Sequence, residues 1–476
     1  MKLRQVLFSC ALLPFALAAQ ALAQDSTPET LQERVSEQDE TIRRLEERLD
    51  RLEGKEQPAE EEPPEEESAP EASPPAHAAE EAYEQPWTER IELGMFYILD
   101  KEKHWRIDVR GRLMTDGRFL PERGHDDFNN GFQVRRARIE FRAKVYERIS
   151  FDLGIEAGRT SDADLRNAYV TLQVFDPLRI RVGQMLLPYS TERLTSSKFL
   201  RHPERSILVA SMVGLRDIGV LVHGPLFDGL AYYGFGLFNG NGQNQKLDTD
   251  DDFDFAARFE FRPFTDDTLR ITTNYIYTPR DQTSAGPGDL RTVGNQFTKF
   301  LDYDSANRRR GRRHRAGGGI LFSHGPFEVT SEVNFDYHEK VRSPTTTRSD
   351  LLNWAWFVGA TWVITGEDLK QKHDGARVKP AAPLFDPSTG AMGPGAFQLS
   401  VRYEDLTIDK RTIRQGFAVG TDRVRALAST LHWYPWTDVR FSFNYTYSNF
   451  DDGVFDSKGR RHKDDHAIVT RFAFWF

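Results

Sequence analysis

From Trp87 to the C-terminus, apolar residues recur at every second position and the residues between them are ionisable or small. In Trp105-Arg106-Ile107-Asp108-Val109-Arg110 each alternate residue is apolar. Ala137, Ile139, Phe141, Ala143 and Val145 repeat the pattern, with Arg136, Arg138, Glu140, Arg142 and Lys144 between them. A period of two gives a strand one apolar face and one polar face. Runs of this kind predict strands near residues 104–114, 132–145, 148–157, 167–175, 178–185, 216–223, 229–238 and 253–262. A second set falls near 268–278, 314–323, 326–338, 352–364, 396–405, 424–434, 438–448 and 465–476, making sixteen. Short links such as Phe175-Asp176-Pro177 and Pro435-Trp436-Thr437-Asp438 read as turns on one rim. Gly-, Asp- and Arg-rich segments near 239–252, 279–313 and 367–395 read as loops on the other.

One or two such strands suit a soluble sandwich; sixteen in series do not. A bilayer core offers no water to backbone N–H and C=O groups, so strands cross it only as a closed cylinder. Alternation then puts Phe, Ile, Val, Leu and Tyr against lipid and turns Arg, Glu, Asp, Thr and Gly inward. A cylinder of that size is too wide for side chains to fill, which leaves water inside. With 39% hydrophobic and 28% charged residues, a bundle of membrane helices is excluded.

Ahead of the barrel the pattern changes three times. Residues 1–23 read as a signal peptide, with Lys2 and Arg4 before an apolar stretch that ends in Ala21-Leu22-Ala23. The single cysteine, Cys10, lies in it, so the mature chain is expected to hold no disulfide or thiolate metal site. In residues 24–53, Val35, Ile42, Leu45, Leu49 and Leu52 keep heptad spacing and predict a short coiled-coil helix that works by self-association. Residues 54–86 are Glu- and Pro-rich, including Glu60-Glu61-Glu62-Pro63-Pro64-Glu65-Glu66-Glu67, and predict a disordered, self-repelling linker. The net charge of -9 comes from this arm. The expected fold is therefore all-β: a 16-stranded antiparallel transmembrane β-barrel over residues 87–476, preceded by a short coiled coil and a linker.

The last strand, with Ile468, Thr470, Phe472, Phe474 and Phe476 in one phase, resembles the C-terminal signature of bacterial outer-membrane barrels. That places the barrel in the outer membrane and the N-terminal arm in the periplasm. Gly111-Arg112-Leu113, Val134-Arg135-Arg136-Ala137-Arg138-Ile139-Glu140-Phe141, Ala168-Tyr169-Val170-Thr171, Arg181-Val182-Gly183-Gln184, Pro188-Tyr189-Ser190 and Thr195-Ser196-Ser197-Lys198 resemble, in that order, the phosphate-selective porin O and P family. Ala396–Tyr403 and Leu431-His432-Trp433-Tyr434-Pro435 resemble it too. The resemblance implies a homotrimer of 16-stranded barrels, each narrowed by an inward-folded loop. It also implies an anion-binding constriction built from Arg135, Arg136, Arg193, Ser196, Ser197 and Lys198, with Arg193 standing where the family often has lysine. Neighbouring residues of a strand face opposite walls, so Arg135 and Arg136 reach the same lumen only across a bulge or a strand end.

Two departures weaken a phosphate assignment. Around the start of the eighth strand, where the family carries an arginine ladder, this chain reads Asp248-Thr249-Asp250-Asp251-Asp252-Phe253-Asp254; Arg166 replaces an acidic residue. The Asp run reads as a solvated loop rather than a cation site. Arg308-Arg309-Arg310-Gly311-Arg312-Arg313-His314-Arg315 reads as a contact for lipopolysaccharide phosphates or a funnel for anions. No nucleic-acid partner, cofactor, resident metal or catalytic residue is expected, since no HExxH pair, nucleophile elbow or Walker loop occurs. The reading is a porin passing small hydrophilic solutes with a modest preference for anions, phosphate among them. Its alternatives are an envelope connector acting through the N-terminal arm and an outer-membrane hydrolase.

Overall fold

The computed structural model describes residues 87–476 apart from 93–94, 101–103, 121–129, 159–162, 215, 245–250, 265–267, 280–288, 296, 306, 310, 343–347, 370, 372–374 and 456–458. The signal peptide, coiled coil and linker lie outside the described residues, as do Asp248 and Asp250.

Sixteen strands form one antiparallel sheet: β1 (Trp105–Phe119), β2 (Gly131–Val145), β3 (Ile149–Glu156), β4 (Asp164–Phe175), β5 (Leu178–Leu186), β6 (Arg216–Leu226), β7 (Ala231–Phe238), β8 (Asp254–Phe261), β9 (Leu269–Thr278), β10 (Arg313–His324), β11 (Phe327–Arg342), β12 (Arg348–Val363), β13 (Ala396–Thr407), β14 (Arg423–Trp436), β15 (Val439–Phe455) and β16 (Arg461–Trp475). Each pairs with its chain neighbours, and β16 pairs back onto β1 with Trp475 opposite Arg112 and Ile468 opposite Phe119. Closure gives the backbone groups of the wall their partners without water. The chain end seals the seam. Phe476 N–H donates to Gly111 O at 3.1 Å and Gly111 N–H donates back at 3.2 Å. The Phe476 ring covers Gly111, where any Cβ would collide with it. A hairpin of Trp87–Glu92 and Met95–Asp100 continues the pairing along the N-terminal end of β1.

Burial is inverted relative to a soluble sheet. Val182, Leu237 and Phe443 are each 52–53% exposed on the outside, while Arg440, Arg471, Asn334 and His432 are buried within. Two aromatic belts run along the outer face over β9–β16. One holds Phe327 and Trp362, then Phe397, Trp433 and Phe441. The other holds Tyr275, Tyr277, His314 and Tyr337, then Trp356 and Tyr403, then Tyr445, Tyr447 and His466. Such belts mark the two lipid–water boundaries. The outward positions of β2–β6 carry no Tyr or Trp; Ile139, Ile149, Ile155, Val170, Leu172, Val182 and Val220 lie there instead.

All sixteen strands expected from alternation are present. Several run further toward the loop rim than expected: β1 to Phe119, β11 to Arg342, β15 to Phe455. Above the upper aromatic belt both faces of the wall meet water, so the two-residue hydrophobic signal fades although pairing continues. One expectation is corrected. The segment near 367–395, read as a loop of the long-loop rim, lies in the connection 364–395 that joins β12 to β13 and therefore leaves from the rim of the short turns, as do the links at 176–177, 325–326 and 437–438. Strand parity, not length, decides the rim. This segment turns into the barrel, where Leu369, Ala376 and Val378 pack with Met114, Val363, Tyr434 and Trp475.

Candidate functional site

The connection between β5 and β6, residues 187–215, lies inside the barrel. Two short helices, α1 (Thr191–Leu194) and α2 (Ile207–Met212), are capped by Ser190 and Ser206. The loop is tied around the wall by charge-assisted bonds, which are stronger than neutral ones. Arg201 forks onto Glu328 of β11 with both contacts at 2.7 Å, and Arg402 of β13 holds Glu192 at 2.9 Å. Glu404 accepts from Ile207 N–H at 2.5 Å, Arg440 of β15 donates to Leu200 O at 3.1 Å, and Arg471 of β16 reaches Glu204 at 2.8 Å.

Arg135 completes the ring of ties and explains the paired arginines. Met114 pairs with Arg136 and Thr115 with Val134, so Arg135 is the extra residue of a bulge in β2. The bulge cancels alternation locally and sends both guanidiniums inward; each is buried. Arg135 forks onto Glu204 at 2.7 and 2.9 Å. Arg136 stops 4.0 Å from the same carboxylate. Burial pushes the Glu204 carboxyl up, but Arg135, Arg471 and Arg136 outweigh it and hold the group well below the usual carboxylate range. The latch thus stays charged at neutral and mildly acidic pH.

With residues 364–395 filling one side, the open space is a cavity of about 970 Å³ against β1–β8 and the loop. All six residues read from the sequence line it: Arg135, Arg136, Arg193, Ser196, Ser197 and Lys198. Arg112 donates to Ser197 Oγ at 3.0 Å and to Ser196 Oγ at 3.2 Å, and also binds Glu140. Arg193 is turned toward Gly214 O at 3.1 Å. Arg138 pairs with Glu140 at 3.4 Å and more closely with Glu156 at 2.6 Å.

Beyond these, the cavity wall carries Arg110, Arg112, Arg142, Lys144, Arg179 and Arg181, which belong to the site although only their inward phase signalled it. In total 17 Lys and Arg side chains line the space against five Asp and Glu, so paired carboxylates leave a large positive excess. The inward positions of β5–β7 include Gly183 and Gly219, which pair with each other, and Gly234 and Gly236, which pair with His223 and Leu221. Of these Gly234 lines the cavity, and a Cβ there would meet nothing nearer than 3.6 Å. Arg166 also lines the cavity, donating to Gln243 at 3.1 Å.

Two expectations about loops change. Of the acidic run, Asp254 is buried and paired with Arg315 at 3.3 Å. Arg313 likewise forks inward onto Asp336, both contacts at 2.9 Å. The end of the basic cluster, residues 313–315, is therefore divided between two faces: strand alternation turns Arg313 and Arg315 into the barrel, while His314 points outward among tyrosines. No group of three or more potential metal ligands occurs among the described residues.

A sequence model of the family described as phosphate-selective porin O and P matches residues 107–476. Porin O of Pseudomonas aeruginosa is 22% identical over 415 residues, covering 80% of this chain and 91% of that protein. Among solved structures, an anion-selective porin from Comamonas acidovorans superposes with a TM-score of 0.50 at 12% identity, covering 78% of this chain and all of that one.

Proposed function

Because the chain belongs to the phosphate-selective porin O and P family, and is thus an outer-membrane porin with long loops outside and short turns in the periplasm, we propose that it passes small hydrophilic solutes passively, with a modest preference for anions, phosphate among them. The observation that supports this is the excess of Lys and Arg on the cavity wall. An aqueous lumen removes the cost of taking an ion through hydrocarbon, and fixed guanidiniums replace part of an anion's hydration. No covalent step is involved. The test is single-channel recording under a salt gradient: discrete steps with a reversal potential toward chloride are expected, and phosphate is expected to lower chloride current by competition. A cation-directed potential would defeat the anion reading, and an absence of steps the channel reading.

We further propose that three copies assemble through the outer faces of β2–β6. There no Tyr or Trp faces outward, and the exposed side chains are Ile, Val and Leu with Phe132, Phe141 and Phe151 among them, as suits a face that meets protein rather than headgroups. Native mass spectrometry is expected to give the mass of three chains. An Ile139→Trp, Val182→Trp variant is expected to give monomers, since Trp is tolerated toward lipid but crowds a packed interface; persistence of the trimer would remove this face from consideration.

A further inference from the structure

The filled side of the barrel holds a buried arginine that the channel does not use. Arg440 of β15 is 1% exposed and does not line the cavity. It pairs with Ala473 of β16, at the apolar cluster that residues 364–395 form with Tyr434 and Trp475. Its Nη1 donates to Leu200 O of the inward loop at 3.1 Å and to the Tyr434 hydroxyl at 3.5 Å. Nε and Nη2 are buried with no hydrogen-bond partner. On other inward arginines this same edge holds a carboxylate: Arg135 on Glu204, Arg201 on Glu328, Arg313 on Asp336 and Arg471 on Asp116 all use Nε and Nη2. Among the described residues no carboxylate pairs with Arg440. Beyond the Tyr434 hydroxyl, the charged groups that act on it most strongly are two further cations, Arg471 and Arg201. Asp438, two residues before it, interacts with Arg377 and Lys198 instead.

A cation buried without a counter-charge is strongly unfavourable, and an inserted water supplies hydrogen bonds but no charge. The two unused N–H groups of the fork point the same way, the geometry that grips an anion. The surroundings set its class. The guanidinium lies 5.8 Å from the Trp475 ring and 5.9 Å from the Tyr434 ring, and Met114 and Ala473 of the same cluster are fully buried. Arg201 and Arg471 are already neutralised, by Glu328 and by Asp116 with Glu204. Apolar walls with no second cation to spare suit one negative charge on a compact ion; a dianion or a bulky oxyanion would be left unbalanced. We propose that the Nε–Nη2 edge of Arg440 holds a halide-sized monovalent anion, a structural counter-ion at the point where the wall is tied to the inward loop through Leu200. The inference does not depend on what the channel conducts.

The experiment has two arms, both on the whole protein. In crystals grown with bromide in place of chloride, an anomalous peak is expected beside Arg440 Nε and Nη2. In detergent solution at constant ionic strength, replacing gluconate by chloride is expected to raise the thermal midpoint, by on the order of 2 °C for each tenfold rise above the dissociation constant. Arg440→Met removes the cation and keeps much of the bulk. It is expected to lose the peak and most of the chloride dependence, and to fold in gluconate as well as wild type or better, because an apolar side chain replaces a buried charge at little cost. Its reversal potential is expected to be unchanged, since Arg440 does not line the cavity. Absence of a bromide peak overturns the proposal. So does a peak with a midpoint indifferent to chloride, which marks an ion bound at crystal concentration only, and so does an equal chloride dependence in Arg440→Met, which places the effect elsewhere. The two wild-type readings decide the matter even where the variant fails to fold, and neither uses the channel recordings, so the two readings fail separately.

Discussion

An Arg136→Glu, Lys198→Glu variant is expected to change the sign of the reversal potential. Arg136 lines the cavity with the Glu204 carboxylate 4.0 Å away, and Lys198 follows the two serines that line the same space. A unit charge about 7 Å from a permeating ion, at an effective dielectric of about 20, is worth about 2 kcal/mol. Reversing two such charges favours cations by more than about tenfold in relative permeability. The change should be larger in about 0.1 M salt than in 1 M, where screening shortens to about 3 Å. Substituting Arg112 or Arg135 tests this less cleanly, because each is committed to a carboxylate, Glu140 or Glu204. A double variant that keeps anion preference would move selectivity away from this constriction, toward the arginines nearer the turns such as Arg179 and Arg181.

The wall was legible because one physical demand, lipid outside and water inside, is written at every second residue from Trp105 to Phe476. What the demand does not reach was hidden. The hydrophobic pattern has no register, so it could state that Arg135 and Arg136 share the lumen only across a bulge but could not place the bulge opposite Met114 and Thr115. It marked Arg110, Arg142, Arg179 and Arg181 as inward, yet every strand has an inward face. Which of those faces line open space depends on the segments that fill the other side, residues 187–215 and 364–395. The second has no periodicity, and its apolar residues Leu369, Ala376 and Val378 look like any loop until Trp475 and Tyr434 are seen beneath them. The acidic run at the start of β8 misled for a related reason: the partner of Asp254 is Arg315, two strands away and far along the chain.

Removing the Glu204 carboxylate is expected to release the inward loop while leaving the cylinder standing. Glu204 of the loop tip joins both sides of the seam, β2 through Arg135 and β16 through Arg471. In Glu204→Ala, Arg471 still has Asp116 at 2.6 and 2.7 Å, but Arg135 loses both of its contacts and remains a buried cation without a counter-charge. Breaking a buried pair from one side costs about 3–5 kcal/mol, and only the tip's other ties, such as Arg471 to Pro203 O and Arg402 to Glu204 O, are left to carry it, so the tip should loosen from the wall. The expected trace shows higher mean conductance, strong open-channel noise and weaker anion preference, with heat-modifiable mobility retained because the strand ladder is untouched. Glu204→Gln should fall between, its amide oxygen accepting from one guanidinium. A quiet wild-type trace from Glu204→Ala would instead assign the loop's position to its other ties, Arg201 with Glu328 and Arg402 with Glu192, and reduce the Arg135–Glu204 contact to neutralisation of a charge that the anion path does not use.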